Sequence, residues 1–297
     1  MAQRDFIPAD QVKRGDVISS GGFGLVYEGR LLEKRSGRWL EVALKQLKPE
    51  VERVERDLKQ FDRELQETLE IARWCKHVVK CFGWTRVGFR QSPALVMKMY
   101  KQTLQELILK DDARNLRDTD DPADRLAPAL MLRIAKDVAH GLAELHNARI
   151  SNEDLKPGNV LLDAENHAVL TDFGISKFFG SGSQETVQFS TLHIRGTSPF
   201  LPPEKLASDN ARMTYSLAVD MWAFGILLGQ MVTVDLLYPY GHGVTWVNVR
   251  NQLVRDRRAP TPPAVPELPR LQQLIHDCLQ LDPAQRITAE QAIHVRG

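Results

Sequence analysis

The hydrophobic pattern of this chain changes period near residue 100, and that switch constrains the fold more than any other feature. Before it, apolar residues come in short alternating bursts. Leu25-Val26-Tyr27, Glu41-Val42-Ala43-Leu44-Lys45 and Ala94-Leu95-Val96-Met97-Lys98 each read as a β-strand. One interval differs: Val51 to Trp74 is charged and helical in period, with Leu58, Phe61, Leu65 and Ala72 on one face. After the switch, Leu130–His146 and Met221–Val232 carry apolar residues at helical spacing. The acidic stretch Asp111–Pro128 reads as an exposed loop between two helices, and Pro202-Pro203 and the run Pro260–Pro269 punctuate the remainder. A strand-rich first third followed by a helical remainder indicates an α+β chain of two lobes.

Composition narrows the class. The chain has 297 residues, room for one large domain or two lobes sharing a cleft, and 43% hydrophobic against 26% charged residues is ordinary for a globular core. A formal net charge of +1 gives no general attraction to nucleic acid or to a membrane surface. Cys75, Cys81 and Cys278 have no metal-ligand or CxxC spacing and read as reduced core thiols of a cytoplasmic protein. The first residues lack an apolar signal core, Ala2 offers no myristoylation site, and the apolar stretch Met221–Leu228 is too short to span a bilayer. The expected partners are therefore neither nucleic acid nor membrane; the oligomeric state stays open.

Two groups of residues carry chemistry. Ile18-Ser19-Ser20-Gly21-Gly22-Phe23-Gly24-Leu25-Val26 lies between two strands, where glycines let backbone N–H groups approach phosphate oxygens. No helix follows it, which argues against both a dinucleotide fingerprint and a Walker loop. Lys45, in a strand some twenty residues on, would aim an ammonium at a diphosphate. The second group is Asn152-Glu153-Asp154-Leu155-Lys156-Pro157-Gly158-Asn159, a loop leading into the strand Val160-Leu161-Leu162, followed by Thr171-Asp172-Phe173-Gly174. Phosphoryl transfer needs Mg²⁺ on hard oxygen ligands and a carboxylate near the attacking hydroxyl. Asp154, Asn159 and Asp172 are of the right types.

With these motifs in this order, the chain resembles the eukaryotic protein kinases, Ser/Thr type, from about Gln11 to Ala292. The resemblance implies a bilobal fold in one kinase domain, 1–297, with an N-lobe at 11–97, a hinge at 98–103 and a C-lobe at 104–297. It implies ATP and Mg²⁺ as cofactors and a protein substrate. Lys45 matches the lysine that holds the ATP phosphates and Asp154 the catalytic aspartate. Lys156 matches the Ser/Thr-type lysine at the transferring phosphate, and Asn159 and Asp172 match the Mg²⁺ ligands. Nucleotide contacts are implied for Ile18, Ser19, Gly21, Gly22, Phe23, Gly24, Val26, Ala43, Met97, Lys98, Met99 and Leu161. The acidic partner of Lys45 is expected at Glu64, with Glu67 as the alternative. Gly196, Thr197 and Pro203-Glu204 resemble the end of the activation segment, Asp220 the start of the buried helix that anchors the catalytic loop, and Arg286 the partner of Glu204.

Four residues depart from the family pattern: Ser19 for the first loop glycine, Pro202 for an alanine, Asn152 for a histidine, and Glu153 for the arginine before the catalytic aspartate. None removes Lys45, Asp154, Asn159 or Asp172, so an active enzyme is expected. The alternative is a pseudokinase scaffold that binds nucleotide or partners without efficient catalysis. Glu153 reverses the charge that would read a phosphate on the activation segment, and the position where the phosphorylated residue usually sits holds His193, so activity is expected not to depend on a phosphate read there; Ser190 and Thr191 stay open as phosphosites. Glu153 is expected either to pair with His193 or Arg195 or to stand exposed in solvent.

Overall fold

In the computed structural model of the chain, residues 5–20, 24–48, 55–88, 92–115, 126–172, 177–178, 199–207, 216–241 and 243–295 are described. The chain divides into two compact units, Met1–Lys101 and Gln102–Gly297, a division inside the segment 98–103.

The first unit is built on a five-stranded antiparallel sheet: β1 (Val12–Ser20), β2 (Gly24–Leu32), β3 (Trp39–Leu47), β4 (Cys81–Val87) and β5 (Ser92–Lys98), in the order β1-β2-β3-β5-β4. Alternation along a strand sends successive side chains to opposite faces. Val42 and Leu44 of β3 and Ala94 and Val96 of β5 thus share one face, where they form the core with Val12, Leu31 and Val87. The opposite face receives Ala43 and Lys45. Helix α1 (Glu55–Trp74) follows β3, contacts β4, and buries Phe61, Leu65, Leu69 and Ile71. Ala72 is half-buried at the edge of that stripe. The sequence places the helix start at Val51; residues 51–54 and the side chain of Leu58 lie outside those described.

A segment before β1 lies along β4. Ile7 N–H donates to the Trp84 carbonyl at 2.8 Å and Trp84 N–H to the Asp5 carbonyl at 2.9 Å, while Phe6 packs edge-on against Trp84 with centroids 4.8 Å apart. The Asp5 carboxylate also pairs with Arg73 in the last turn of α1. Gly83 permits this approach: its φ is +148°, and a Cβ there would strike the Asp5 carbonyl.

The second unit is mainly helical. Strand β6 (Gln102–Thr103) leads into α2 (Leu104–Asn115), followed by α3 (Pro128–Asn147). Short strands β7 (Ile150–Ser151), β8 (Val160–Leu162), β9 (Ala168–Leu170) and β10 (Lys177–Phe178) pair as β6-β8-β9 and β7-β10. Then come α4 (Pro203–Ala207), α5 (Ala218–Thr233), α6 (Trp246–Arg250), α7 (Pro269–Cys278) and α8 (Ala289–Ile293). The unit packs around α5, buried without interruption from Val219 to Met231 and in contact with α3 and α7. The loop reading of Asp111–Pro128 needs correcting at both ends. Helix α2 runs through Asn115, since Ala113 and Arg114 are good helix formers and an Asp pair costs a helix only tenths of a kcal/mol, about 0.7 at most per residue. Pro128 is the first residue of α3, where a missing N–H costs nothing. Residues 116–125 lie outside those described.

Gly229 of α5 faces the ring of Tyr238, whose hydroxyl donates to the Thr261 carbonyl at 3.2 Å, and a Cβ at 229 would overlap that ring. Gly229→Ala is expected to lose about 1–3 kcal/mol of stability by overpacking. Thermal unfolding checks this, with a midpoint lowered by roughly 2–4 °C per kcal/mol.

Candidate functional site

In the first unit, the strand register gathers the implicated residues on the sheet face away from the core. Lys45 lies opposite Val26 on β2 and Leu95 on β5; Ala43 lies opposite Met97, and Met97 opposite Cys81 on β4. Directly opposed residues share a face, so Val26, Ala43, Lys45, Met97 and Cys81 line one surface. Ala43 and Met97 are buried, whereas Lys45 and Val26 are half-buried. Ser19 pairs with Val26 across β1 and β2, and Ile18 beside it is 50% exposed, a large apolar side chain without cover. Gly24 opens β2 opposite Leu47. Gly21, Gly22 and Phe23 lie outside the described residues. At the far end of β5, Lys98 N–H is already given to the Lys80 carbonyl at 2.8 Å, and the Lys98 ammonium lies 5.1 Å from the Tyr100 ring. Met99 follows, half-buried. Glu67 is half-buried on α1; the side chain of Glu64 lies outside those described, so the choice between them stays open.

Burial pushes the Cys81 thiol up to about 12, while the Lys45 ammonium pulls it the other way. The thiol donates to the Val79 carbonyl at 3.7 Å. Burial likewise pushes the Cys278 thiol well above its usual range. All three cysteines are free thiols.

In the second unit, the loop from Ser151 to Asn159 is held from beneath by Asp220, in the first turn of α5 and 1% exposed. Its carboxylate accepts the backbone N–H groups of Asn152 and Glu153, each at 2.8 Å, the Ser151 hydroxyl at 3.3 Å, and lies 2.8 Å from His146 Nε2. A carboxylate in a helix's first turn also gains from the helix dipole. Above this anchor, Asn152 Oδ1 accepts the Asp154 N–H at 3.1 Å, the turn that an Asx side chain favours. The Asn152 amide nitrogen is buried and has no hydrogen-bond partner among the described residues.

Asp154 is enclosed by the two residues expected beside it. Lys156 Nζ donates to its carboxylate oxygens at 2.7 and 3.0 Å, and Asn159 Nδ2 donates to Asp154 Oδ2 at 2.7 Å and to the Asp154 carbonyl at 2.8 Å. The Asn159 amide therefore has its Oδ1 left to offer a cation. Thr171 N–H donates to the Asn159 carbonyl at 3.0 Å, which ties the chain just before Asp172 to this cluster. Asp172 is half-buried with a left-handed φ of +59°. Leu161 is half-buried on β8, between buried Val160 and Leu162. Phe173, Gly174, Ser190, Thr191, His193, Arg195, Gly196 and Thr197 lie outside the described residues. No group of three or more His, Cys, Asp or Glu among the described residues could hold a metal. One carboxylate and one amide oxygen instead fit Mg²⁺, which keeps waters and takes phosphate oxygens for the rest of its shell.

Of the two alternatives for Glu153, the exposed side chain is ruled out, while pairing with His193 or Arg195 concerns residues outside those described. The Glu153 side chain is buried, the backbone has a left-handed φ of +61°, and Oε2 lies 3.5 Å from Lys205 Nζ on α4, the two side chains 6% and 7% exposed. A non-glycine residue held in this conformation costs about 1–3 kcal/mol. Lys205 is a contact that the sequence reading does not single out. Its neighbour Glu204 takes Arg286 by a two-armed contact, 2.6 Å on each arm, and Arg286 also donates to the Ala218 and Gln280 carbonyls and lies 5.1 Å from the Trp222 ring.

A carboxylate flanked by a lysine and an amide, an aspartate tethered beside them, and a strand lysine on a sheet face lined with apolar residues are the equipment of a phosphoryl-transfer domain. A family model described as the protein kinase domain matches residues 12–296, and the chain belongs to that family. The chain is 28% identical over 93% of its length to the dual specificity protein kinase shkD of Dictyostelium discoideum. It is 27% identical over 98% of its length to the human receptor-interacting serine/threonine-protein kinase 3, and 27% over 76% to the mitogen-activated protein kinase kinase 1 of Arabidopsis thaliana. Those alignments span 33%, 52% and 58% of the respective relatives.

Two outcomes test this geometry. Asp220→Asn places an N–H₂ among backbone donors and is expected to cost at least about 1–3 kcal/mol, read by urea denaturation. For Cys81 the folded state holds the thiol proton more tightly than the unfolded chain does. That contribution is complete below about pH 9 and is lost as pH rises toward about 12. Native Cys81 should therefore resist alkylation at pH 8 and react once the chain is unfolded, as peptide mass mapping would show.

Proposed function

We propose that this chain transfers the terminal phosphate of ATP to Ser and Thr hydroxyls of protein substrates. The observation that carries the reading is the Asp154 carboxylate, bracketed by Lys156 and Asn159 and fixed from beneath through Asp220. Asp154 orients the acceptor hydroxyl and receives its proton as the oxygen attacks. Lys156, within reach of both Asp154 oxygens, also presents its ammonium to the phosphoryl group in transfer. Asn159 Oδ1 and Asp172 would hold Mg²⁺, which when bound neutralises charge on the phosphate oxygens. Lys45, with Glu64 or Glu67 as its acidic partner, and the loop Ile18–Gly24 would hold the phosphates. Val26, Ala43, Met97, Lys98, Met99 and Leu161 would receive the base, Lys98 without its N–H, which Lys80 already takes.

Ser/Thr preference rests on Lys156, at the position where Ser/Thr members of the family carry lysine, and on the name of the human relative. The Dictyostelium relative is named a dual specificity kinase, so acceptor class needs direct measurement. In an assay with labelled ATP, Mg²⁺ and a mixed peptide library, phosphoserine and phosphothreonine should dominate; a product pool dominated by phosphotyrosine would reject the assignment. Asp154→Asn should lower turnover by at least about 10²–10⁴-fold with nucleotide affinity nearly unchanged, and Lys45→Met should also lower it strongly. Wild-type turnover in Asp154→Asn would reject Asp154 as the acceptor-orienting group.

A further inference from the structure

We propose that Lys205 is a positioning residue for Asp154, acting through its buried ion pair with Glu153; the inference rests on the phosphoryl-transfer reading for its catalytic consequence only. Glu153 immediately precedes Asp154, so its backbone conformation sets the direction in which the Asp154 side chain leaves the loop. That conformation is left-handed, at φ +61°, where a glutamate does not stay unless its surroundings hold it. Two contacts do so from opposite ends of the residue. Asp220 takes the backbone N–H at 2.8 Å, and Lys205 stands 3.5 Å from the carboxylate in a site that excludes most solvent. A charge buried to this degree needs counter-charge beside it, and Lys205 supplies one at 3.5 Å, which helps to hold the side chain in place.

The base of the pair is itself immobilised. Lys205 lies on α4, whose adjacent Glu204 is gripped by Arg286, and Arg286 is tied to the start of α5 through the Ala218 carbonyl. Asp220 sits in the same first turn of α5. Glu153 is thus pinned to α5 twice, directly through its N–H and indirectly through Lys205, Glu204 and Arg286. The loop that presents Asp154 is braced by charges internal to the chain, with an acid on the loop and a base on the segment that follows the activation-segment end.

The test compares Lys205→Met, Lys205→Arg and the double variant Glu153→Gln/Lys205→Met with wild type. All four are stripped with phosphatase and checked by mass. Amide hydrogen exchange over 150–156 is measured together with kcat and the KM for ATP. In Lys205→Met, exchange of the Glu153 and Asp154 amides should speed up by tenfold or more and kcat fall by tenfold or more, with KM for ATP within twofold of wild type; Lys205→Arg should restore both. The double variant removes both charges of the pair together and carries the test should Lys205→Met not fold. Exchange at 153–154 within twofold of wild type in the double variant, or a rise spread evenly over the whole second unit, would overturn the proposal. Absence of any phosphoryl transfer by the wild-type chain would count against the function alone, and exchange would then decide the positioning role.

Discussion

One carboxylate organises the second unit's chemistry. Asp220 is buried, and it remains so because every lone pair it brings inside meets a donor: two consecutive backbone N–H groups, a serine hydroxyl and a histidine nitrogen. Hydrogen bonds to a charged acceptor in a site of low dielectric are among the strongest a protein makes. The loop above inherits that fixity. Asn152 turns back onto the Asp154 N–H, Asp154 receives Lys156 and Asn159, and Asn159 in turn accepts Thr171. Remove the anchor and none of these later contacts has a fixed frame.

The charges around this frame are arranged with economy. Helix α4 is only five residues long, yet it presents two opposite charges in succession, Glu204 toward Arg286 and Lys205 toward Glu153. Neighbouring residues on a helix diverge by about 100°, so adjacent positions can serve different partners. The guanidinium suits its task because it meets a carboxylate with two parallel bonds and stacks on an indole at once. The lysine suits the other, where one point charge must reach a single carboxylate.

Much of this was legible in the sequence. Period-two alternation located β2, β3 and β5, and the register then follows from which residues must face the core: Val42 and Leu44 inward sends Ala43 and Lys45 to the other side. Asp154, Lys156 and Asn159 meet because they lie within one loop, where local geometry suffices. Other features needed tertiary information. The end of α2 is obscured because Asp111 and Asp112 resemble loop residues, and Pro128, of a type that commonly marks loops, opens a helix. Lys205 carries no local signal: the charge of Glu153 points to the bases before Gly196, which lie outside the described residues, and not to the lysine after Glu204. A lone lysine beside a motif has no periodic or compositional mark; only the fold sets it against residue 153.

Helix α5 has no solvent face from Val219 to Met231. Such a helix cannot be stabilised by amphipathic packing on one side alone; it needs cover all round, and part of that cover is α7, at Pro269–Cys278. The loop bearing Asp154 is anchored to this helix, yet it leaves the ribosome long before α7 does. The fixity of the 151–159 loop therefore depends on residues far later in the chain, which must be in place over α5 before the loop has a firm foundation.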